Sequence, residues 1–203
     1  VDVTEFFQRC TFKPFHGQTV RAIKVHADIS KGKHEKLLKF AQSIGMGGLG
    51  YLLVQEDKTY KGPIDKFIPD DMKEELAQIA SLEIGDTIFF IADNEAKACE
   101  YAGQIRTKLG EMFDLLEKNA YRFCFINDFP MFEYKEEEKK IGFTHNPFSM
   151  PQGGLEALEN EDPLSILAYQ YDIVCNGVEL SSGAVRNHDI DTVSYTHLRA
   201  HET

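Results

Sequence analysis

The sequence predicts an α+β protein with two units, an α/β unit over residues 1–116 followed by antiparallel sheet over residues 117–192. Three observations support this fold class. Strand-like and helix-like stretches alternate up to about residue 116. From Tyr121 onward the sequence becomes aromatic and rich in strand-forming residues. The 203 residues are enough for one complete domain and part of a second.

The first unit is expected to contain short apolar strands separated by amphipathic helices. The strands are expected at residues 20–25, 49–54 and 88–91. Helices are expected where apolar residues recur at steps of three and four, at residues 33–44, after Pro69 and at residues 94–116. Asp71 is expected to cap the second helix, with Glu74 completing a capping box. No cluster of ionisable residues in this unit forms a recognisable motif, so a packed module without chemistry of its own is the simplest interpretation.

The second unit is expected to be mainly antiparallel sheet. Strands are predicted at residues 122–129, 131–134, 141–144 and 169–175, and the charged run 135–140 is expected to form a solvated hairpin tip. Residues 147–163 are rich in proline, glycine and acidic residues, which predicts a long loop with one helical turn near residues 155–158. Asp162-Pro163 is expected to start a further short helix that continues through Leu167.

Composition excludes some classes of function. The formal net charge of −11 argues against broad electrostatic binding of nucleic acid, although a basic surface could lie on other domains. No apolar run approaches the ~18–20 residues that span a bilayer, and no secretory signal is present, which fits a cytoplasmic protein without a membrane partner. The chain does not start with methionine, and we expect it to begin within a longer gene.

The cysteines are widely spaced, at Cys10, Cys99, Cys124 and Cys175. A zinc site can be imagined from Cys124, His145, Cys175 and His188. However, structural zinc sites usually contain closely paired ligands, and no Cys-x-x-Cys pair occurs here. Buried free thiols in a reducing cytoplasm are therefore the favoured interpretation.

Acidic residues near the end of the chain are candidate metal ligands. Asp172 and Glu179 are seven residues apart, so on an unbroken strand they would face opposite ways. A turn at Asn176-Gly177 could fold two strands side by side and return both carboxylates to one site. A divalent cation that bridges phosphates would need such a pair.

Two basic residues are candidate ligand contacts. Arg186 could hold a small carboxylate through two parallel hydrogen bonds, or it could form an internal ion pair, and the residues alone leave both alternatives open. Arg186 and Glu179 also lie seven residues apart, and Ser181-Ser182-Gly183 would permit a bulge between them. His145 could contact a ligand or could be an ordinary, partly buried histidine.

Four ordered segments resemble the bacterial aspartyl-tRNA synthetase family. Two of them are Asp128-Phe129-Pro130-Met131-Phe132-Glu133 and His145-Asn146-Pro147-Phe148-Ser149. The third runs from Ala168-Tyr169-Gln170-Tyr171-Asp172 through Asn176-Gly177-Val178-Glu179 to Arg186. The fourth, Gly47-Gly48-Leu49-Gly50-Tyr51, resembles the signature of the GAD-type domain that these enzymes insert within their catalytic core and share with a tRNA-dependent amidotransferase subunit. The resemblance covers residues 1–192.

The resemblance implies an inserted α/β GAD-type domain, followed by part of a class II antiparallel catalytic domain that activates L-aspartate with ATP and transfers it to tRNA(Asp). It implies that His145 and Arg186 bind aspartate, that Glu179 lies at ATP, and that Asp172 and Glu179 hold Mg²⁺. It implies no side-chain nucleophile or base, since attack of the substrate carboxylate on the α-phosphate needs orientation and charge neutralisation. It also implies a homodimeric, cytoplasmic parent enzyme.

Some positions depart from the family pattern. Many relatives carry a second histidine at the position of Asn146, and glycines at Ser181, Ser182 and Ala184. These departures leave open whether tRNA(Asn) is also charged. The family's anticodon-binding barrel, its earlier catalytic motifs and its final arginine motif have no counterpart here, so the isolated chain is expected to be inactive. A non-catalytic GAD-type module that binds an RNA-handling or amidotransferase partner is the alternative.

The last residues of the chain, 193–203, do not continue the family sequence. They resemble translated adapter sequence and are expected to be a non-native tail. We assign no function to His197 and His201, although their spacing of four resembles that of metal ligands.

Overall fold

The structure, a computed structural model, describes residues 1–135 and 137–201, with side chains described as far as Thr196. It divides into two compact units, Val1–Glu117 and Lys118–Thr203. Glu136, at the predicted acidic hairpin tip, and the side chains of His197 and His201 lie outside the described residues.

Unit 1 is built on a four-stranded antiparallel sheet. Its strands are β1 (Thr19–His26), β2 (Gly50–Val54), β3 (Tyr60–Lys61) and β4 (Asp86–Asp93), in the order β1-β4-β2-β3. Its helices are α1 (Thr4–Gln8), α2 (Lys31–Ser43), α3 (Asp70–Ala80) and α4 (Glu95–Met112), with short 3₁₀ turns at Lys13–Phe15 and Asp65–Phe67.

Both faces of this sheet are covered by helices. Side chains alternate across a strand, so Ile88 and Phe90 of β4 face one way while Phe89 and Ile91 face the other. One face packs against α1 and α3, and its core includes Phe7 and Leu76. The opposite face packs against α2 and α4, with a core that includes Leu37, Ala41, Tyr101, Ile105 and Leu109. The central strand β4 is therefore buried on both sides, which explains its continuous apolar run.

Helix ends in unit 1 differ from two expectations. Asp71 was expected to cap α3, but the cap position is occupied by Pro69 without a side-chain hydrogen bond, and Asp71 lies in the first turn. The helix α4 ends at Met112 rather than at Leu116, because Asp114 adopts a left-handed conformation with φ 53°. Leu116 then packs against Gly110.

Unit 2 contains a three-stranded sheet of β5 (Phe123–Pro130), β8 (Leu167–Cys175) and β9 (Val178–Ala184), with β8 in the centre. A separate hairpin pairs β6 (Phe132–Lys135) with β7 (Lys140–Phe143). Two helices complete the unit, α5 (Gly154–Asn160) and α6 (Ile190–His201). A small core includes Met131, Phe132, Leu158, Ile166 and Ala168.

The helix expected from Asp162 through Leu167 is shorter than predicted. A single 3₁₀ turn covers Pro163–Ser165, and the Asp162 side chain accepts a hydrogen bond from the Leu164 backbone amide at 3.0 Å. Leu167 already belongs to β8, where sheet pairing replaces helical hydrogen bonds. Mixed helices and antiparallel sheets confirm the α+β fold class. Among the described residues, no helix combines the length and apolar character needed to cross a bilayer.

Candidate functional site

The strands β8 and β9 form a tight hairpin at the predicted turn. Cys175 pairs with Val178, and the two residues between them, Asn176 and Gly177, have φ angles of 51° and 80°. Successive left-handed residues suit a two-residue hairpin turn, for which Asn-Gly is a preferred sequence. The turn therefore brings Asp172 and Glu179 onto neighbouring strands.

A bulge in β9 places Glu179 on the same face of the sheet as Asp172. Asp172 pairs with Ser182 and Ile173 with Ser181, but Val174 pairs with Glu179 rather than with Leu180. Directly paired residues share a face, as do alternate residues along a strand. Without the extra residue, Glu179 would face away from Asp172; with it, both lie on one face of the sheet. Such diagonal neighbours are about 7–8 Å apart between Cα atoms.

Asp172 lies on the central strand and is half-buried. Its Oδ1 atom is shielded from solvent and has no hydrogen-bond partner in the structure. A buried carboxylate oxygen without a partner is costly, so this atom is well suited to accept a ligand. Mg²⁺ commonly binds through one or two carboxylates together with substrate phosphates, and Asp172 and Glu179 fit that pattern.

Arg186 follows β9 and is exposed. Ala184 pairs with Gln170, which shares a face with Asp172, and alternation brings Arg186 onto that same face. The guanidinium carbon lies 5.9 Å from the centre of the Phe148 ring. Within the described part of the chain Arg186 forms no ion pair, so the internal ion pair considered from the sequence is absent.

The loop after His145 is tied to the backbone around Arg186. Ser149 forms a β-bridge with Arg186, and the Met150 amide donates to the Val185 carbonyl at 2.8 Å. The loop begins with an Asn-Pro turn, in which the Asn146 side chain accepts from the Phe148 amide at 2.9 Å. Asn146 thus has a structural role at the position where many relatives carry histidine.

His145 is exposed, follows β7 in the chain, and lies beside the end of β5. Its ring meets Phe129 edge-to-face, with 5.4 Å between ring centres. Phe129 pairs with Ala168, which also bridges to Pro151 in the loop that holds Arg186. His145 and Arg186 are therefore connected through the same end of the sheet, and the exposed imidazole is free to contact a ligand.

Sequence reasoning missed a second set of polar residues beside this site. Asp128 adopts a left-handed conformation with φ 59°, and its carboxylate accepts a hydrogen bond from the Gln152 side chain at 2.6 Å. This contact ties the long loop to β5. A shallow cavity near Asp128 is also lined by Tyr169 and Tyr171, but by none of the four predicted site residues. The Asp-Phe-Pro motif was the only signal in the sequence for this region.

The imagined zinc site does not form. Cys124 pairs with Val174, the neighbour of Cys175, so the two thiols lie on opposite faces of the sheet. No cluster of three or more metal-ligating side chains occurs among the described residues. The expectation of buried thiols holds for Cys10 and Cys175 but is wrong for Cys99 and Cys124, which are exposed. Burial raises the pKa of the Cys10 thiol to about 11.

Comparison with known proteins supplies the family. Residues 13–102 match the model of the GAD domain. The chain is 50% identical over 197 residues to the aspartate–tRNA(Asp/Asn) ligase of Ehrlichia canis (strain Jake), covering 94% of the chain and 33% of that protein. It is also 50% identical over 198 residues to the enzyme of the same name from Rickettsia felis (strain ATCC VR-1525 / URRWXCal2), covering 92% of the chain and 33% of the relative.

By sequence, the chain belongs to the aspartyl-tRNA synthetase family. Its span is about one third of the length of the curated relatives that it matches. The predicted resemblance and the predicted GAD-type domain are both confirmed.

Proposed function

We propose that this chain supplies the GAD domain and part of the catalytic domain of a longer, cytoplasmic, homodimeric aspartate–tRNA ligase. That enzyme activates L-aspartate with ATP and transfers it to tRNA(Asp) and, as the names of the relatives suggest for their own substrates, to tRNA(Asn). The observation that carries the proposal is the placement of Asp172, Glu179 and Arg186 on one face of the β8–β9 hairpin.

The proposed division of roles follows from charge. Arg186 binds the side-chain carboxylate of aspartate, because a guanidinium without an internal partner can donate two parallel hydrogen bonds to it. His145, at the adjoining end of the sheet, contacts the same amino acid. Glu179 would lie at ATP, and together with Asp172 it would hold Mg²⁺, which would neutralise phosphate charge. No side chain is proposed as a nucleophile or base, since the α-carboxylate of aspartate itself attacks the α-phosphate of ATP and pyrophosphate leaves.

The same proposal divides the chain into domains. Residues 1–116 would form the GAD domain with a flanking segment of the catalytic core, residues 117–192 would be a partial catalytic domain, and residues 193–203 would be a non-native tail. Residues 190–201 form a helix, and Tyr195 packs against the small core of unit 2.

The test uses the longer enzyme that contains this chain, numbered as here. Arg186→Lys should raise the KM for aspartate by about 10–100-fold, since lysine cannot reproduce the bidentate contact, and should leave the KM for ATP nearly unchanged. Arg106→Lys, an exposed change on α4, is the matched control and should alter neither constant. An unchanged KM for aspartate in Arg186→Lys would refute the assignment.

A further inference from the structure

The helix α2 differs in charge from the rest of this acidic chain. Its 13 residues, Lys31–Ser43, contain one acidic side chain, Glu35, and four lysines. All four lysines are exposed, namely Lys31, Lys33, Lys36 and Lys39. We call these four side chains, which spread over about 200° of the helix circumference, the α2 lysine face.

The opposite layer of unit 1 carries the opposite charge. Helix α3, which packs on the other side of the sheet, has Lys73 as its only basic residue and four acidic ones, namely Asp70, Asp71, Glu74 and Glu75. The net charge of −11 therefore conceals a strongly uneven distribution. The argument from net charge against nucleic-acid binding therefore does not apply to the α2 side of the sheet.

The lysines of the α2 face form no ion pair with any described residue. Several other basic residues of unit 1 are matched with carboxylates: Arg9 with Glu75, Arg21 with Asp2, Lys24 with Asp86, Lys73 with Asp65 and Asp70, and Lys108 with Glu111. Within residues 1–135 and 137–201, no lysine of α2 forms such a pair. The Lys33 ammonium lies over the Phe113 ring, and the charges of Lys31, Lys36 and Lys39 are available to an external anion.

Two of the lysines lie where they oppose helix formation. Lys31 and Lys33 are in the first turn of α2, which contains no acidic residue. The N-terminal end of a helix carries a partial positive charge, so cations there cost stability. Lys31 and Lys33 therefore increase the positive potential at the start of α2 and lower the stability of the helix.

Packing holds the face in a fixed position on unit 1. The Lys33 ammonium lies 4.1 Å from the centre of the Phe113 ring, and Lys108 of α4 lies 5.5 Å from that of Phe40. Leu37 and Ala41 are fully buried against the sheet. The apolar side of α2 is therefore already used, and the helix cannot insert it into a lipid surface as membrane-binding helices do.

We infer that the α2 lysine face binds the phosphodiester backbone of tRNA. The inference rests on the proposed function, from which it takes tRNA as the RNA, and it adds a contact surface on the GAD domain. Lys31 and Lys39 are about 12 Å apart along the helix. A nucleic-acid duplex presents several phosphates over that length, and lysines that neutralise them release counterions.

The test measures binding of a labelled tRNA(Asp) transcript to the complete 203-residue chain at about 50 to 200 mM salt. The variant Lys31→Gln/Lys36→Gln/Lys39→Gln retains Lys33, which packs on Phe113. The control Lys13→Gln/Lys58→Gln/Lys61→Gln removes the same charge from exposed, unpaired lysines elsewhere on unit 1. The α2 variant should bind at least about tenfold more weakly at low salt, and its salt slope should fall by about one per lysine. The control should change affinity less than about threefold.

Chemical modification of lysines provides the second readout. Bound tRNA should protect the lysines of the α2 face from acylation but should leave Lys13, Lys58 and Lys61 reactive. Failure of the chain to bind tRNA at low salt, equal losses in the two triple variants, or binding of anionic vesicles in place of tRNA would each overturn the inference. Neither aspartate nor ATP is present, so these outcomes are independent of the Arg186→Lys test. If the Arg186→Lys test failed, tRNA binding by the α2 lysine face would still show RNA binding, but without ligase function.

Discussion

The sheets of the two units differ in how far their apolar side chains are buried. In unit 1, the strand β4 is buried on both faces between two helical layers. In unit 2, the three-stranded sheet leaves many large apolar residues exposed, including Phe123, Phe125, Ile126, Tyr169, Tyr171, Val178 and Leu180. Unit 1 therefore has a core of its own, whereas the exposed faces of unit 2 are suited to being covered by further protein.

The largest expected difference concerns core substitutions. Phe90→Ala removes a side chain that is 1% exposed and contacts Phe7 edge-to-face at 4.9 Å. We expect it to lower the free energy of unfolding by about 3–5 kcal/mol, because it leaves a cavity. Phe125→Ala, at a side chain that is 65% exposed, should cost less than about 1 kcal/mol. Urea denaturation followed by circular dichroism measures both, and equal losses would contradict the comparison.

The next effect is a dependence of unit 1 on pH. Burial alone would raise the pKa of the Asp86 carboxyl, but hydrogen bonds from the Glu83 amide, His26 and Lys24 outweigh it and lower that pKa. A lowered carboxyl pKa stabilises the fold above its usual value of 3.8, and the contribution is lost as the pH falls through the folded-state pKa. Stability of unit 1 should therefore fall below about pH 4.

Asp86→Asn tests this dependence. It should cost about 1.5–3 kcal/mol near neutral pH, because hydrogen bonds to a charged group are lost, and it should flatten the acid limb of the stability curve. The exposed Asp28→Asn is the control and should preserve that limb. An acid limb that is unchanged in Asp86→Asn would show that Asp86 does not govern it.

A smaller effect is expected at the hairpin of unit 2. Gly177 has φ 80°, and a β-branched residue is strained there although no atom crowds the position. Gly177→Val should lower the protection of the β8 and β9 amides by about 1–2 kcal/mol in hydrogen exchange. Gly103→Ala, at an open position on α4, should leave those amides unchanged. Unaltered protection in Gly177→Val would mean that the turn does not hold the hairpin.

The smallest effect is a gain in stability at α2. Lys31→Glu places an acid in the first turn and should stabilise unit 1 by about 0.3–1 kcal/mol. Lys39→Glu makes the same charge reversal near the other end of the helix, where no gain is expected. Both substitutions should weaken tRNA binding, so stability and binding should move in opposite directions for Lys31→Glu. A loss of stability in that variant would contradict the electrostatic account of α2.

Most elements could be predicted because the sequence marks them locally. The turn at Asn176-Gly177 was evident from residue type alone. Ends that depend on one residue's backbone conformation were not evident, as Asp114 shows for α4. The capping prediction at Asp71 failed because Pro69 can take the cap position without a side-chain bond.

The candidate site was predictable in part. Residue types and the family resemblance pointed to His145, Asp172, Glu179 and Arg186, but their facing depends on register, and a single extra residue at Leu180 decides it. The contact of Asp128 with Gln152 joins residues 24 positions apart, and no local pattern predicts it. The opposite charges of the two helical layers of unit 1 could not be predicted either, because the sequence does not show which helix covers which face of the sheet.

The central claim is that this chain carries part of an aspartate site whose activity belongs to a longer enzyme. Aspartate-dependent ATP–pyrophosphate exchange tests it most directly, with the purified 203-residue chain compared with the longer enzyme at equal concentration. We predict exchange by the longer enzyme and none by the chain. Clear aspartate-dependent exchange by the chain alone would contradict the account.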